Sequence, residues 1–287
     1  MSVQVTTSFV EQYKANVMLL SQQKGSRLRG AVRNESVTGK TAFFEQIGTV
    51  EARQRTTRHA DTPQLDIPHS RRSLSLNDYD WSDLIDQEDK VRMLIDPTSS
   101  YAQSAAHAMG RAMDDAIITA ATGTSNTGVS GGTSTVLPSS QKVAVAATGL
   151  TLAKLRAAKK ILDGNDVDPS IKRYIAVSAI QLDDLLSSTT VTSSDFNTVK
   201  ALVQGELNTF LGFQFLHSER LGTTATSTRG VIAWAEDGIL LGVGQDMKAR
   251  ISERADKNYA TQVFSSMSIG ATRMEEKKVV EISCLEA

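Results

Sequence analysis

DPTSSYAQSAAHAMGRAMDDAIITAATG, residues 96–123, is the stretch on which the fold turns. Asp96 is a good N-cap, Pro97 takes the first helical position, where a missing N–H costs nothing, and Gly123 is a natural stop. Between them Tyr101, Ala105, Ala108, Ala112, Ala116 and Ile117, with Met109 and Met113 beside them, recur along one helical face. The spacing predicts a helix of about seven turns, roughly 40 Å long and longer than a usual globular helix. Its small side chains let a sheet or a second helix come close, so it reads as a spine for the rest of the chain.

Downstream, residues 123–149 are rich in Gly, Ser and Thr and suit a loop or hairpin tip, with a domain boundary near Gly149. A second module follows. TLAKLRAAKKILDG carries Leu152, Leu155, Ala158, Ile161 and Leu162 at helical spacing and stops at Gly164; RYIAVS reads as a strand, and a short helix follows Ser178. GFQFLHS at 212–218 and GVIAWA at 230–235 complete an alternating α/β pattern. DMKARISE, YATQVFSSMSIGAT and KKVVEISCLE then show period-two alternation and are expected to form one antiparallel group. If that group packs on the spine helix, the second module is an insertion between two halves of the first, an α+β arrangement.

Upstream, SFVEQYKANVMLLSQQ at 8–23 has helical spacing, and KGSRLRGAVRNESVTGK at 24–40 reads as extended chain that needs a surface to lie on, such as another subunit. Residues 41–76, with Pro63 and Pro68 near the far end, read as two strands joined by a loop. A hairpin of this kind is marginal alone in water and is expected to dock on a neighbour.

Composition removes several classes of function. With 40% hydrophobic and 22% charged residues and a net charge of −1, the 287-residue chain has the make-up of a soluble globular protein. No apolar run is long enough for a membrane span, and the first residues lack a secretory leader pattern. Cys284 is the only cysteine, which excludes an intrachain disulfide framework and a cysteine-rich zinc site. Charge is divided locally: Lys24 to Arg72 holds ten basic and five acidic residues, whereas Asn77 to Asp96 holds seven acidic and two basic. Such blocks are expected either to meet complementary surfaces or to be solvated faces.

Nothing in the chain resembles a catalytic constellation. His59, His69, His107 and His217 have no metal-ligand spacing, there is no GxSxG elbow or phosphate loop, and the pairs Asp114–Asp115 and Asp183–Asp184 are adjacent and so point apart on a helix. No catalytic, metal or cofactor residues are expected. The arginine-rich segment with Arg53, Arg55, Arg58, Arg71 and Arg72 could hold phosphates or bridge to acidic neighbours, but the aromatic platforms of single-strand binders are missing.

Four strings carry a family resemblance: FVEQYKANVMLLSQQKGSRLRGAV, RHADTPQLDIPHSRR at 58–72, YDWSDLIDQEDKVRMLIDPTS at 79–99 and AMGRAMDDAII at 108–118. Together they resemble the major capsid proteins of tailed bacteriophages, closely over the first 120 residues or so and afterwards in element order. The resemblance implies a phage major capsid fold: an N-terminal arm (1–40), an extended loop (41–78), a peripheral domain with the spine helix (79–148 and 245–287) and an inserted α/β axial domain (149–244). It also implies a virion subunit, assembled in the host bacterial cytoplasm, that self-associates into pentamers and hexamers of an icosahedral shell around double-stranded DNA. The arm begins almost at Met1, so a scaffolding protein is expected to be separate, as are portal and decoration proteins. Subunit contacts are expected between basic Arg53, Arg55 and Arg58 and acidic Asp83, Asp86, Glu88 and Asp89 of an adjacent copy. An encapsulin-like compartment shell and a nucleic-acid-binding protein using the basic segment stay open as alternatives.

Overall fold

A computed structural model describes residues 21–59, 61–62, 64–86, 98–187, 209–225 and 227–286. The expected helix at 8–23 lies almost wholly outside them, as do Asp96 and Pro97 at the head of the spine. The spine itself, α1, runs over Thr98–Thr122. Its buried stripe is Ala105, Met109, Met113, Ile117, Ile118 and Ala121, so Ala105 and Ile117 of the expected face lie in the contact, while the methionines beside it, rather than Ala108, Ala112 and Ala116, fill its centre. Ala112 and Ala116 sit on the shoulder of the same cluster. The reason is the partner: α1 lies on a sheet, and long, adaptable side chains fill the helix-to-sheet gap that alanine would leave empty.

That sheet has four strands in the order β1-β13-β14-β4. β1 (Arg33–Ser36) and β4 (Asn77–Ile85) come from the amino-terminal third, and β13 (Ile239–Arg254) and β14 (Ala260–Arg273) form a long hairpin. Alternation of buried and half-buried residues along β14 turns Val263, Met267 and Ile269 inward, beneath the helix, with Tyr79 and Trp81 of β4 beside them. The stretch at 24–40 does find a surface to lie on, and it belongs to the same chain. Leu28, Ala31 and Val32 enter the spine-helix core, and β1 pairs in parallel with β13.

The second sheet belongs to the inserted α/β module. β7 (Lys142–Val143), β15 (Val279–Leu285), β12 (Thr228–Ala235), β8 (Arg173–Val177), β10 (Phe213–His217) and β9 (Thr209–Phe210) follow one another across it, and β11 (Thr223–Ala225) pairs with β12. Two helices, α2 (Leu152–Gly164) and α3 (Ala179–Ser187), cover one face. The Thr151 hydroxyl accepts from Lys154 N and caps α2. Period two decides what each strand touches. Ile175, Val177, Val231 and Ala233 face Leu155, Ala158, Leu162 and Leu185, while Tyr174, Ala176, Ile232 and Trp234 face the spine-helix core. The Tyr174 and Trp234 rings stack there at 6.1 Å.

One expectation is corrected. KKVVEISCLE does not join the C-terminal antiparallel group; as β15 it lies between β12 and β7 in the α/β sheet. Val280, Ile282 and Cys284 belong to the core under α2, and Val279 to the spine-helix core, so the strand is buried on both faces. A strand covered on both sides is a nearly continuous apolar run, which VVEISC is, and not an edge of a half-solvated sheet.

The third sheet is a projecting ribbon, β2 (Thr41–Ile47), β3 (His69–Ser75), β5 (Ser125–Thr127) and β6 (Thr133–Thr135). β2 and β3 are the two expected strands, in register from Thr41↔Ser75 to Ile47↔His69. The Gly/Ser/Thr-rich segment supplies the hairpin β5–β6, which widens the ribbon at its base.

Candidate functional site

Three groups of residues set the shape and charge of the surface this chain presents: the clamp on the amino-terminal segment, the root of the ribbon and the charged surfaces beyond it. The clamp is built on α1. Gly110 has no side chain, and the segment at 25–26 crosses the helix in direct backbone contact with it. One turn on, the fully buried Asp114 carboxylate accepts hydrogen bonds from Gln23 Nε2, Ser26 Oγ, Arg27 N (3.1 Å) and Leu28 N (3.1 Å). Arg111 donates to Gln22 Oε1 at 2.9 Å, and Trp234 Nε1 donates to Ala31 O at 2.8 Å. Farther out Arg27 reaches His217, donating to its carbonyl at 2.7 Å, and Arg29 pairs with Asp246 at 2.9 Å. The hydrogen bonds from Arg29 hold the Asp246 carboxyl below its usual range. The segment from Gln22 to Ser36 is thereby part of the body.

The ribbon root is ionic and buried. Arg72 on β3 donates to Met274 O at 2.9 Å and to Glu276 at 2.6 Å. Arg273, with no exposed surface, donates to Ala121 O and Gly123 O at the end of α1 and to Thr135 O on β6, and its Nε lies 3.6 Å from Glu276. One carboxylate thus serves two guanidinium groups that join the ribbon, the helix C-terminus and the long hairpin. Orphan carbonyls at a helix end favour a cation there. Gln46 Nε2 adds a bond to Met274 O at 2.7 Å, and Leu74 packs with Val37, Leu240 and Met274. Sequence reasoning missed Asp114, Arg273 and Glu276. The signal for Asp114 was an acid beside the apolar stripe four residues after a glycine.

Of the residues expected at subunit contacts, Arg53, Arg55 and Arg58 are exposed on the loop between β2 and β3, Asp83 is exposed on β4, and Asp86 is exposed just after it. Glu88 and Asp89 lie outside the described residues. Arg53 and Arg55 line one hollow of about 500 Å³ with Asp61 and Leu65, and none of the three arginines forms an ion pair among the described residues. Arg71 and Arg72 differ: Arg71 pairs with Glu45 and lies over the Phe43 ring, and Arg72 is committed to Glu276. Two of the five arginines that could hold phosphates are therefore engaged within the chain. Around the loop, Ile47, Val50, Leu65 and Ile67 are exposed, with Ile47 at 70%. Among the described residues no cluster of His, Cys, Asp or Glu is arranged to hold a metal ion, and no helix is long and apolar enough to cross a membrane.

A sequence profile described as phage capsid protein matches residues 5–286. No curated protein sequence matches significantly. Among solved structures, the capsid of cyanophage P-SCSP1u is similar with a TM-score of 0.78 at 19% identity, over 99% of this chain and 95% of its own. The cyanophage Pam1 capsid has a TM-score of 0.73 at 14% identity, over 98% of each chain. The capsid of Helicobacter pylori bacteriophage KHP30 has 0.74 at 10%, over 99% and 98%. At these identities the likeness is one of fold.

Proposed function

The chain belongs to the phage capsid protein family, and from that premise we infer that its work is mechanical: it is the major capsid protein, self-associating into capsomers and closing a shell as part of the virion. The family match across residues 5–286 carries this conclusion. The physical chemistry agrees with it, because a ribbon rooted by buried ions but bare of cover at Ile47, Val50, Leu65 and Ile67 is a surface that gains by docking. Obligate interfaces commonly bury about 2,000 Å² or more, and a projecting ribbon lets a small subunit reach that total.

The finer reading divides the chain into an arm (1–40), an extended loop (41–78), a peripheral domain around α1 and the β13–β14 hairpin, and an axial domain built on the seven-stranded sheet, with β15 included in the last. Pentamers and hexamers would enclose double-stranded DNA, held without sequence-specific contacts. Scaffolding, portal and decoration proteins would be separate chains, and assembly would take place in the host cytoplasm. Arg53, Arg55 and Arg58 of the loop meet Asp83, Asp86, Glu88 and Asp89 of an adjacent copy in this reading. The exposure of the three arginines and their lack of ion-pair partners within the described chain support it.

Negative-stain microscopy of the purified protein tests the function: closed particles are expected, and a monomer or small oligomer with salt-sensitive DNA binding would overturn it. Reversing Arg53, Arg55 and Arg58 to glutamate tests the contact. Particle yield should fall, and normal assembly of that variant would sink it.

A further inference from the structure

The four-stranded sheet has two open edges of opposite net charge: Asp78, Asp80 and Asp83 on β4, and Lys248, Arg250 and Arg254 outnumbering Asp246 and Glu253 on β13. β4 is one edge, with β14 its only neighbour among the described residues. On the other side β1 covers β13 from Leu240 to Val243 only, and β13 runs on to Arg254. Register shows which side chains share a face. Asp78 and Asp80 lie opposite Ser268 and Ser266 of β14, and Ser266 and Phe264 lie opposite Lys248 and Arg250 of β13. Tyr79, Trp81 and Met267 point the other way, into the core. Cross-strand partners share a face, so the two aspartates and the two cations stand together on the side away from α1.

All four are exposed, and none has an ion-pair partner among the described residues. Within one copy two strand spacings of about 4.8 Å separate the rails, and no ion pair joins them among the described residues. Apolar side chains are also left bare at both edges: Leu84 on β4 is 41% exposed and Ile251 on β13 is 55% exposed.

An open edge is a template for a further strand, and proteins guard such edges with charge. Here the guards differ in sign. Two β4 edges repel each other, two β13 edges repel each other, and a β4 edge attracts a β13 edge. We propose that the free edge of β13, residues 245–254, in one copy pairs with the β4 edge of the next, placing Lys248 and Arg250 against Asp78 and Asp80. The two surfaces are different patches of the same chain, so the contact is head-to-tail. Such contacts propagate from copy to copy, into a ring where the rotation closes and an open filament where it does not, instead of ending at a two-fold dimer. The inference rests on the shell-subunit reading and adds to it which edges meet and why like edges do not.

Charge swaps test it in the full-length protein, with particle yield read by sedimentation and negative-stain microscopy. Lys248→Glu with Arg250→Glu makes both edges acidic, and Asp78→Lys with Asp80→Lys makes both basic; each pair should lower particle yield at least tenfold. The quadruple variant exchanges the two signs and should recover most of the yield. Because all four side chains are exposed, each variant is expected to keep the wild-type circular dichroism spectrum. Pairs that assemble like wild type would overturn the edge pairing alone, and so would a folded quadruple variant that stays unassembled. A wild type that forms no closed particles would instead remove the shell reading, and this inference with it.

Discussion

Gly110 on α1 and Gly25 in the amino-terminal segment touch backbone to backbone: a methyl group at position 110 would sit 2.4 Å from the Gly25 carbonyl carbon and 2.6 Å from the Ser26 nitrogen. Alanine in a helix interior is ordinarily worth about 1 kcal/mol over glycine. Here the atoms it meets are main chain, held by the Asp114 carboxylate, and cannot swing aside. Gly110→Ala is therefore expected to destabilise the protein by about 1–3 kcal/mol, the usual cost of overpacking. The checks are a lower urea midpoint than wild type and faster tryptic cleavage after Arg27 and Arg29.

Asp114 holds the same segment from the polar side. Asp114→Ala strips the acceptor from Arg27 N and Leu28 N, one of them buried, and from the Gln23 and Ser26 side chains. Each buried donor left unsatisfied costs about 1–3 kcal/mol, so a loss of roughly 3 kcal/mol or more is expected. Hydrogen exchange should rise first at residues 22–32. Unchanged protection there would show that the segment is held by its apolar contacts alone.

Glu276→Ala would leave Arg72 and Arg273 facing each other with no carboxylate between them. Side-chain exposures of 8% and 0% mean that water screens neither well. Breaking a buried ionic cluster by removing one partner typically costs about 3–5 kcal/mol. Glu276→Gln keeps the shape and one acceptor, so its loss should be smaller. Thermal unfolding of both variants beside wild type checks the order.

Alkaline pH should weaken the seven-stranded sheet through Cys284. Burial pushes the thiol from 9.0 up to about 11, against the opposing charge of nearby Lys154. A folded-state value above the unfolded one means the stabilisation is complete below pH 9 and is lost as pH rises through 11. Two decades of acidity correspond to about 3 kcal/mol. Lys154 works the other way, since burial lowers its value and the fold gains as that ammonium deprotonates. Comparing wild type with Cys284→Ala isolates the thiol: between pH 8 and 11 the variant's urea midpoint should fall less. Parallel curves would contradict the assignment.

The parts of the fold that show in the sequence are those set by local periodicity. Residues 98–122 repeat at helical spacing up to Gly123, and the strands at 41–47 and 69–75 alternate between prolines and glycines. β15 was misassigned because KKVVEISCLE fits either a half-buried strand or a central one, and only the packing of Val279 and Val280 into different cores decides between them. On α1 the spacing finds Ala105 and Ile117, which are buried, but not that Met109 and Met113 beside them, rather than Ala108, Ala112 and Ala116, span the gap to the sheet. Asp114 reads as one of an adjacent surface pair because its partners, Gln23 to Leu28, lie far away in sequence, and nothing in the sequence near Glu276 signals the distant Arg72 that it serves together with Arg273. The acidic edge shows in the sequence as the block from Asn77 to Asp96, but Lys248 and Arg250 do not stand out there, and their place opposite it depends on register, which no short stretch encodes.

The place of β15 also bears on how the protein is made. The seven-stranded sheet keeps a gap between β12 and β7 until residues 279–285 have left the ribosome, although Lys142–Val143 and Thr228–Ala235 were synthesised long before. A product that stops between 236 and 278 lacks β15, so one edge of β12 stays unpaired and the Leu155, Ala158 and Leu162 face of α2 loses Val280, Ile282 and Cys284. A subunit truncated within 236–278 is therefore expected to carry an incomplete seven-stranded sheet, so the last strand made is the one that finishes its wall.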